Sequence, residues 1–229
     1  MAFVLGLVAL GVALWFLIQL KKKDTAACAE VLGLKPAPAR TERGITPEGF
    51  KFSQTTMLEG RIDGRAATLW SRTLARTTGS KRSGRRSMFT VLDLTLRRPA
   101  RVPLRIQPVG VLGALEEMLT APDNRAARVA MDARFDEAYT VYSASATDAI
   151  VALTPALRES LLEFRARVAG PLPSNVAGHL ASGLVLGTFY LDGAFVRYAV
   201  YGSPTKATAE HVKAAVPIMI ALARAAGGE

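Results

Sequence analysis

The chain has 229 residues, enough for one domain with a sizeable core. Half of them are hydrophobic and 21% are charged, an ordinary globular balance that excludes a disordered or low-complexity chain. A formal net charge of +10 favours anionic partners, while the single Cys28 excludes an internal disulfide framework and a cysteine-cluster zinc site.

The first predicted element is an apolar run from Ala2 to Leu20 that is broken only by Gln19. As a helix it would span ~30 Å, the hydrocarbon thickness of a bilayer. No Lys or Arg precedes it and no Ala-x-Ala site closes it, so retention is expected rather than cleavage. Lys21, Lys22 and Lys23 follow at once, and the positive-inside rule then orients the N-terminus outside and the rest in the cytoplasm. The expectation is a single-pass protein of a bacterial inner (plasma) membrane. Residues 1–25 would be the transmembrane anchor and basic stop, 26–50 a juxtamembrane helix and linker, and 51–229 a cytoplasmic domain.

Ala26 to Leu34 reads as a short helix stopped by Gly33, Pro36 and Pro38. Thr55 to Ile62 and Arg65 to Thr73 flank Asp63-Gly64, a pair suited to the positive φ angles of a type I′ turn, and predict a hairpin. Leu74 to Ser87, rich in Gly, Ser, Thr and basic residues, reads as an exposed loop. Met88 to Leu96 follows as a strand with Leu92, Leu94 and Leu96 on one face, and Arg101 to Gln107 alternates as a fourth strand. Val111 to Leu119 predicts a helix, and beyond a break near Pro122 a helical or irregular stretch ends near Met131.

Phe135 to Ser143 has aromatic and β-branched residues at close intervals and is expected as a fifth strand. Thr147 to Leu153 looks helical. The next helix opens on Thr154 as N-cap and Pro155 at the first helical position, with Leu157, Leu161, Phe164 and Val168 as its buried stripe. Leu184 to Leu191 and Ala194 to Tyr201 form a second hairpin around Asp192-Gly193. Thr208 to Ala226 closes the chain as an amphipathic helix that turns Val212, Ala215, Met219 and Leu222 inward and is kinked at Pro217. The fold expected is α+β: a mainly antiparallel sheet of about seven strands with packed helices, preceded by one transmembrane helix. Seven strands closed by a helix is also the element count of a pleckstrin-homology-like barrel.

The segment Phe135-Asp136-Glu137-Ala138-Tyr139-Thr140-Val141-Tyr142-Ser143, followed by Leu153-Thr154-Pro155, resembles a pattern of membrane-anchored bacterial proteins of unknown function. The resemblance covers about twenty residues of the chain. It implies a bacterial, membrane-tethered cytosolic domain and carries over no catalytic residue.

Charge is the sharper signal. Arg72, Arg76, Lys81, Arg82, Arg85, Arg86, Arg97, Arg98, Arg101 and Arg105 face a single acid, Asp93, so one stretch holds nearly all the net charge. Beside a bilayer such a cluster would meet anionic phospholipid headgroups, at ~1 kcal/mol per basic residue near the surface. It lacks interleaved aromatics and a recognition motif, which argues against nucleic acid. Gly79 to Arg86 imitates the start of a phosphate-binding loop, but Arg85 and Arg86 stand where the Lys and the Ser or Thr are needed, and a strand follows instead of a helix. Asp132, Asp136 and Glu137 have no His or Cys near them in sequence, and Glu159 and Glu163 lie among arginines, so no metal, cofactor or catalytic residue is assigned. The function expected is a non-enzymatic binding or scaffold module that docks on a protein partner or the anionic inner leaflet through Arg72, Arg76, Lys81, Arg82, Arg85, Arg86, Arg97 and Arg98. Lys21 to Lys23 would set the orientation. The alternative is a membrane-tethered hydrolase or transferase whose site forms only in three dimensions, around His179 or His211 with a Ser or Asp.

Overall fold

A long hairpin begins the sheet. Strand β3 (Phe50–Ile62) turns at Asp63-Gly64 into β4 (Arg65–Arg76). Both turn residues have positive φ, 51° and 72°, as a type I′ turn demands. A bulge between Thr56 and Leu58 lets so long a strand bend over the core. The computed structural model describes residues 22–38, 40–45, 50–76, 86–109, 126–169 and 186–225.

Around the hairpin, the described residues form one antiparallel sheet of 10 strands. The others are β1 (Lys35–Pro36), β2 (Thr41–Ile45), β5 (Arg86–Thr95), β6 (Leu104–Pro108), β7 (Ala127–Val129), β8 (Tyr139–Ser143), β9 (Thr188–Asp192) and β10 (Phe195–Tyr201). Their order is β1-β3-β4-β5-β10-β9-β6-β8-β7, with β2 also on β3. The described helices are α1 (residues 22–32), α2 (Ala133–Ala138), α3 (Ala146–Ala152), α4 (Pro155–Ala169) and α5 (Lys206–Ala225). The main core lies between the helices and one face of the sheet. There Val212, Ala215, Met219 and Leu222 of α5 and Leu157, Leu161 and Phe164 of α4 meet Leu92, Leu94, Phe189, Val196 and Tyr198. A smaller cluster of Trp70, Leu74, Phe89, Val91 and Ala199 occupies the second face.

Three expectations are corrected. The sheet has 10 strands rather than about seven, and its pairing runs from β1 and β2 at one end to β7 at the other instead of closing as a pleckstrin-homology-like barrel. No helix among the described residues is long and apolar enough to cross a membrane, so the transmembrane, single-pass element of the expected fold is not found among them. The run from Met1 to Leu20 on which it was placed lies outside the described residues, as does the helix expected from Val111 to Leu119. The longest described helix, α5, packs its apolar stripe on the sheet and leaves Lys206, Glu210, Lys213 and Arg224 exposed. Finally, Phe135 begins no strand. Asp132 caps α2 by accepting from the Phe135 amide at 2.9 Å, and strand β8 starts only at Tyr139. Phe135 and Tyr139 stack at 5.3 Å, and a spacing of four puts two residues on one side of either a helix or a strand.

Other differences are smaller. Part of the expected linker is sheet, since β1 and β2 both pair with β3. The second hairpin turns one residue later than the Asp-Gly pair suggests: Asp192 pairs with Phe195, leaving Gly193-Ala194 as the loop. Only Gly193 takes a positive φ there, the type II′ requirement. Thr154 caps α4 as expected, its Oγ1 accepting from the Leu157 amide at 3.3 Å.

β5 and β10 join the two halves of the sheet, and an ion pair on the second face marks their register. Arg197 donates through Nε and a terminal nitrogen to both oxygens of Asp93, at 2.7 and 2.8 Å. Trp70 Nε1 donates to the same carboxylate at 2.9 Å, and the guanidinium lies 4.9 Å from the Trp70 ring centre. Burial opposes the charge on Arg197, but the hydrogen bonds and charge of Asp93 outweigh it and raise the guanidinium pKa. Asp93→Asn is expected to cost roughly 2–4 kcal/mol, below the range for a fully buried pair because the Arg197 side chain keeps 30% of its exposure. Asp93→Leu combined with Arg197→Met should recover part of that loss, because it removes the buried charges but leaves Trp70 Nε1 without its acceptor. Urea unfolding of the three proteins is the check, and equal stability of Asp93→Asn and wild type would show that the pair does not hold the register.

Candidate binding surface

The basic stretch expected to act as one patch is divided by the fold. β4 and β5 run antiparallel, so Arg72, Arg76 and Arg86 lie toward one end of the sheet and Arg97 and Arg98 at the other. Along β5 the two groups are roughly 35 Å apart at ~3.3 Å per residue. Lys81, Arg82 and Arg85 lie outside the described residues, and Arg76 and Arg86 are located by their backbones alone. Arg72 sits on the second face with its guanidinium 4.8 Å from the Phe52 ring centre, and Arg105 lies 3.9 Å from that of Tyr142. These two therefore belong to cation–π pairs on the sheet rather than to a basic loop. Of the orienting lysines, Lys22 and Lys23 are exposed on α1 and Lys21 lies outside the described residues. Cys28, farther along α1, is buried against the Thr205 carbonyl, and burial, with a smaller contribution from Asp24, pushes its thiol up to about 11.

The end that carries Arg97 and Arg98 gathers further cations. The segment after β5 is tied to the β9–β10 turn by Leu96 N–H donating to the Ala194 carbonyl at 2.8 Å and Ala100 N–H to that of Gly193 at 2.7 Å. Arg97, Arg98 and Arg101 project from it, all exposed. Next to it stands the β3–β4 turn, where Arg61 donates to the Gly64 carbonyl at 3.1 Å and Asp63 meets Arg224, from the last turn of α5, at 3.9 Å. The outcome is a rim of Arg61, Arg97, Arg98, Arg101 and Arg224 around two acids, Asp63 and Asp192. Phe195, 40% exposed, lies beside it. Arg61, Arg224 and Phe195 escape a reading along the chain because only strand pairing brings them to the others. The two turn dipeptides are the signal that could have found them, since turns at the ends of paired hairpins cluster at sheet ends.

The carboxylates on and around α2 and α4 are engaged in the fold. Glu159 accepts from Arg134 at 2.8 and 3.1 Å, Asp132 is ion-paired with Arg158, and both oxygens of Asp136 accept from the Met131 amide. Among the described residues no group of three or more His, Cys, Asp and Glu could hold a metal ion. His179 lies outside the described residues. His211, the other residue on which an enzyme reading rests, stacks on Tyr198 and meets the Phe164 ring edge-on.

The Tyr198 hydroxyl is held from both sides. It accepts from the Gly187 amide at 2.8 Å and lies 2.6 Å from His211 Nε2. A neutral His211 with its proton on Nδ1 offers Nε2 as acceptor for the hydroxyl's own proton, an arrangement compatible with the amide's donation to the same oxygen. Burial supports this state, lowering the imidazole to about 4. Gly187 has no freedom here, because a Cβ would sit 2.4 Å from the Ala199 carbonyl oxygen and 2.6 Å from the Tyr198 ring.

No protein-family model matches the chain, and no curated protein matches it. Among solved structures, the crystal structure of the mycobacterial trehalose monomycolate transport factor A, TtfA, is similar with a TM-score of 0.49. Identity is 12%, over 89% of this chain and 92% of that one. A likeness this distant carries no argument about source, activity, partner or location.

The His211 network makes stability depend on pH. Below ~6.5 the unfolded chain protonates His211, whereas the folded chain resists until about 4, so stability falls as the pH drops through that window. The full window is worth roughly 3 kcal/mol. Denaturant unfolding between the two limits should show this slope in wild type and lose it in His211→Gln, which keeps an acceptor but takes up no proton. Parallel slopes in the two proteins would remove the network as the cause.

Proposed function

We propose that this chain is a non-enzymatic binding module that recognises a protein partner through the basic rim of Arg61, Arg97, Arg98, Arg101 and Arg224. The observation that carries the reading is the convergence of exposed arginines from the β3–β4 turn, the segment after β5 and the end of α5 on one end of the sheet. Concentrated charge of one sign speeds encounter with an oppositely charged surface and fixes orientation more than it adds affinity.

The acids within the rim favour a protein over an anionic headgroup layer. Asp63 and Asp192 stand at the hairpin ends, foremost toward anything approaching. A uniformly negative layer would repel them, whereas a folded partner can set acids against the arginines and a cation against each carboxylate. Phe195 supplies the apolar contact that a polar rim needs near its centre.

Affinity capture from the native source with the full chain, at low and moderate salt, tests this. The wild type should retain a defined partner whose yield falls as salt rises, and the charge reversal Arg97→Glu, Arg98→Glu, Arg101→Glu should lower retention by about tenfold or more. Equal retention by wild type and triple variant would sink the proposal. So would vesicle flotation in which the wild type binds anionic vesicles, not neutral ones, while retaining no protein.

A further inference from the structure

The side of β3 away from β4 is covered by two short strands of opposite character. β1 carries Pro36 and is followed by Pro38, residues that lack an amide donor and keep a foreign strand from pairing. β2, with the sequence Thr41-Glu42-Arg43-Gly44-Ile45, has no proline, and all its residues except Gly44 are exposed. Among the described residues it pairs with β3 alone.

The register decides which way the β2 backbone points. Thr56 N–H donates to the Arg40 carbonyl at 3.0 Å, so residues 40, 42 and 44 turn their backbone groups toward β3. Thr41, Arg43 and Ile45 turn theirs outward, giving an alternating row of donors and acceptors ready for one more strand. The side chains add a charge pattern. Arg43 projects to the same face as exposed Lys51 on β3, while Glu42 projects to the opposite face, opposite Gln54. Ile45, 65% exposed, provides an apolar contact at one end.

We infer that β2 is a docking edge for an extended segment of a partner protein, which adds to the sheet as an antiparallel strand with an acidic residue opposite Arg43 and a basic residue opposite Glu42. Such strand addition takes affinity from the main chain and specificity from alternate side chains. A second copy of this chain fits less well. Antiparallel pairing requires outward residues to oppose outward residues, and the self-register that uses all three of them sets Arg43 against Arg43. The register shifted toward Thr41 sets Glu42 against Glu42, and like charges directly opposite destabilise a sheet; the one shifted toward Ile45 escapes this but uses only two of the three outward residues and leaves Glu42 outside the paired stretch. The edge lies roughly 25 Å along β3 from the rim at ~3.3 Å per residue, so the two surfaces can be tested separately.

The probe is a blocked synthetic peptide containing Val-Thr-Glu-Lys-Val, which sets Glu opposite Arg43 and Lys opposite Glu42 when antiparallel. Amide hydrogen exchange of the full chain is followed by NMR. Saturating peptide should slow exchange at Thr41, Arg43 and Ile45 by about tenfold or more while leaving Glu42 unchanged. Arg43→Pro deletes an outward donor without removing a bond to β3 and should abolish the protection. Arg43→Glu keeps the backbone and should shift the preference to the peptide Val-Thr-Lys-Lys-Val, which sets a Lys opposite each of the two adjacent acidic positions. The rim variant Arg97→Glu, Arg98→Glu, Arg101→Glu should protect these amides as wild type does, so failure of one surface leaves the other standing. The inference is overturned by unchanged exchange at all three amides, by protection that survives Arg43→Pro, or by protection that appears without peptide and grows with protein concentration, which would assign the edge to self-pairing.

Discussion

The β5–β10 seam is what makes one sheet of two pieces. Strands β2 to β5 are a meander with neighbouring strands joined in sequence, β1 lies beside β2 on the same side of β3, and β6 to β10 assemble among the helices. Between them the described sheet is joined through the pairing of Phe89 to Thr95 with Phe195 to Tyr201. Each side of the seam has its own cause. On the helical side Leu92 and Leu94 lie opposite Tyr198 and Val196 under α5, a burial worth ~25 cal/mol for each Å² removed from water. On the second side Asp93 lies directly opposite Arg197. Apolar contact alone would tolerate a slip of two residues, which keeps every side chain on its face; the ion pair penalises it, because a displaced Asp93 would be a buried carboxylate without a cation.

That same pairing explains where the positive charge goes. Asp93 is the lone acid in a long basic stretch, and it is bound by an arginine from outside that stretch. None of the neighbouring cations is neutralised by it. Arg72 lies over the Phe52 ring, Arg105 over that of Tyr142, and the other described cations of the stretch, Arg76, Arg86, Arg97, Arg98 and Arg101, lie toward the two ends of β5. The fold therefore turns a run of like charges, unfavourable if packed together, into two separated groups, and the group at the turn end is joined by Arg61 and Arg224.

Much of this was legible in the sequence, and the failures have a common origin. Asp63-Gly64, the Thr154 cap and the α5 stripe of Val212, Ala215, Met219 and Leu222 depend on neighbours within a turn or two, and each is found as read. β2 was not legible: Thr41 to Ile45 has neither alternation nor β-branched density and is a strand because β3 is long enough to template it. The Phe135 misreading came from a spacing that helix and strand share, and the cap at Asp132 was the overlooked local signal. The rim was illegible for another reason. Arg61, Arg101 and Arg224 are far apart in sequence, and no periodicity records that β4 returns beside β5 or that α5 ends over the first hairpin.

The two ends of the sheet show how edge chemistry and function are coupled. β7 at one end has three residues and ends beside Met131 and the Asp132 cap of α2, so it offers little backbone for pairing. At the other end the prolines of β1 guard the part of β3 nearest the core, where Leu34 packs against Gly60. A Cβ at Gly60 would approach Leu34 to 2.9 Å, so this region is closed sterically as well as chemically. β2 begins where that protection stops. Gly44 there leaves the Phe52 ring against the edge backbone, 2.6 Å from where a Cβ would stand, which keeps the strand flat on its second face. A chain that only needed to suppress edge pairing would carry proline or lysine at the outward positions of β2, as it does in Lys35 and Pro36 of β1. It carries Thr41, Arg43 and Ile45 instead, and one charge per face is weak protection but adequate selection. Guarded and open segments on the same strand are therefore distinguished by residue type, not by exposure.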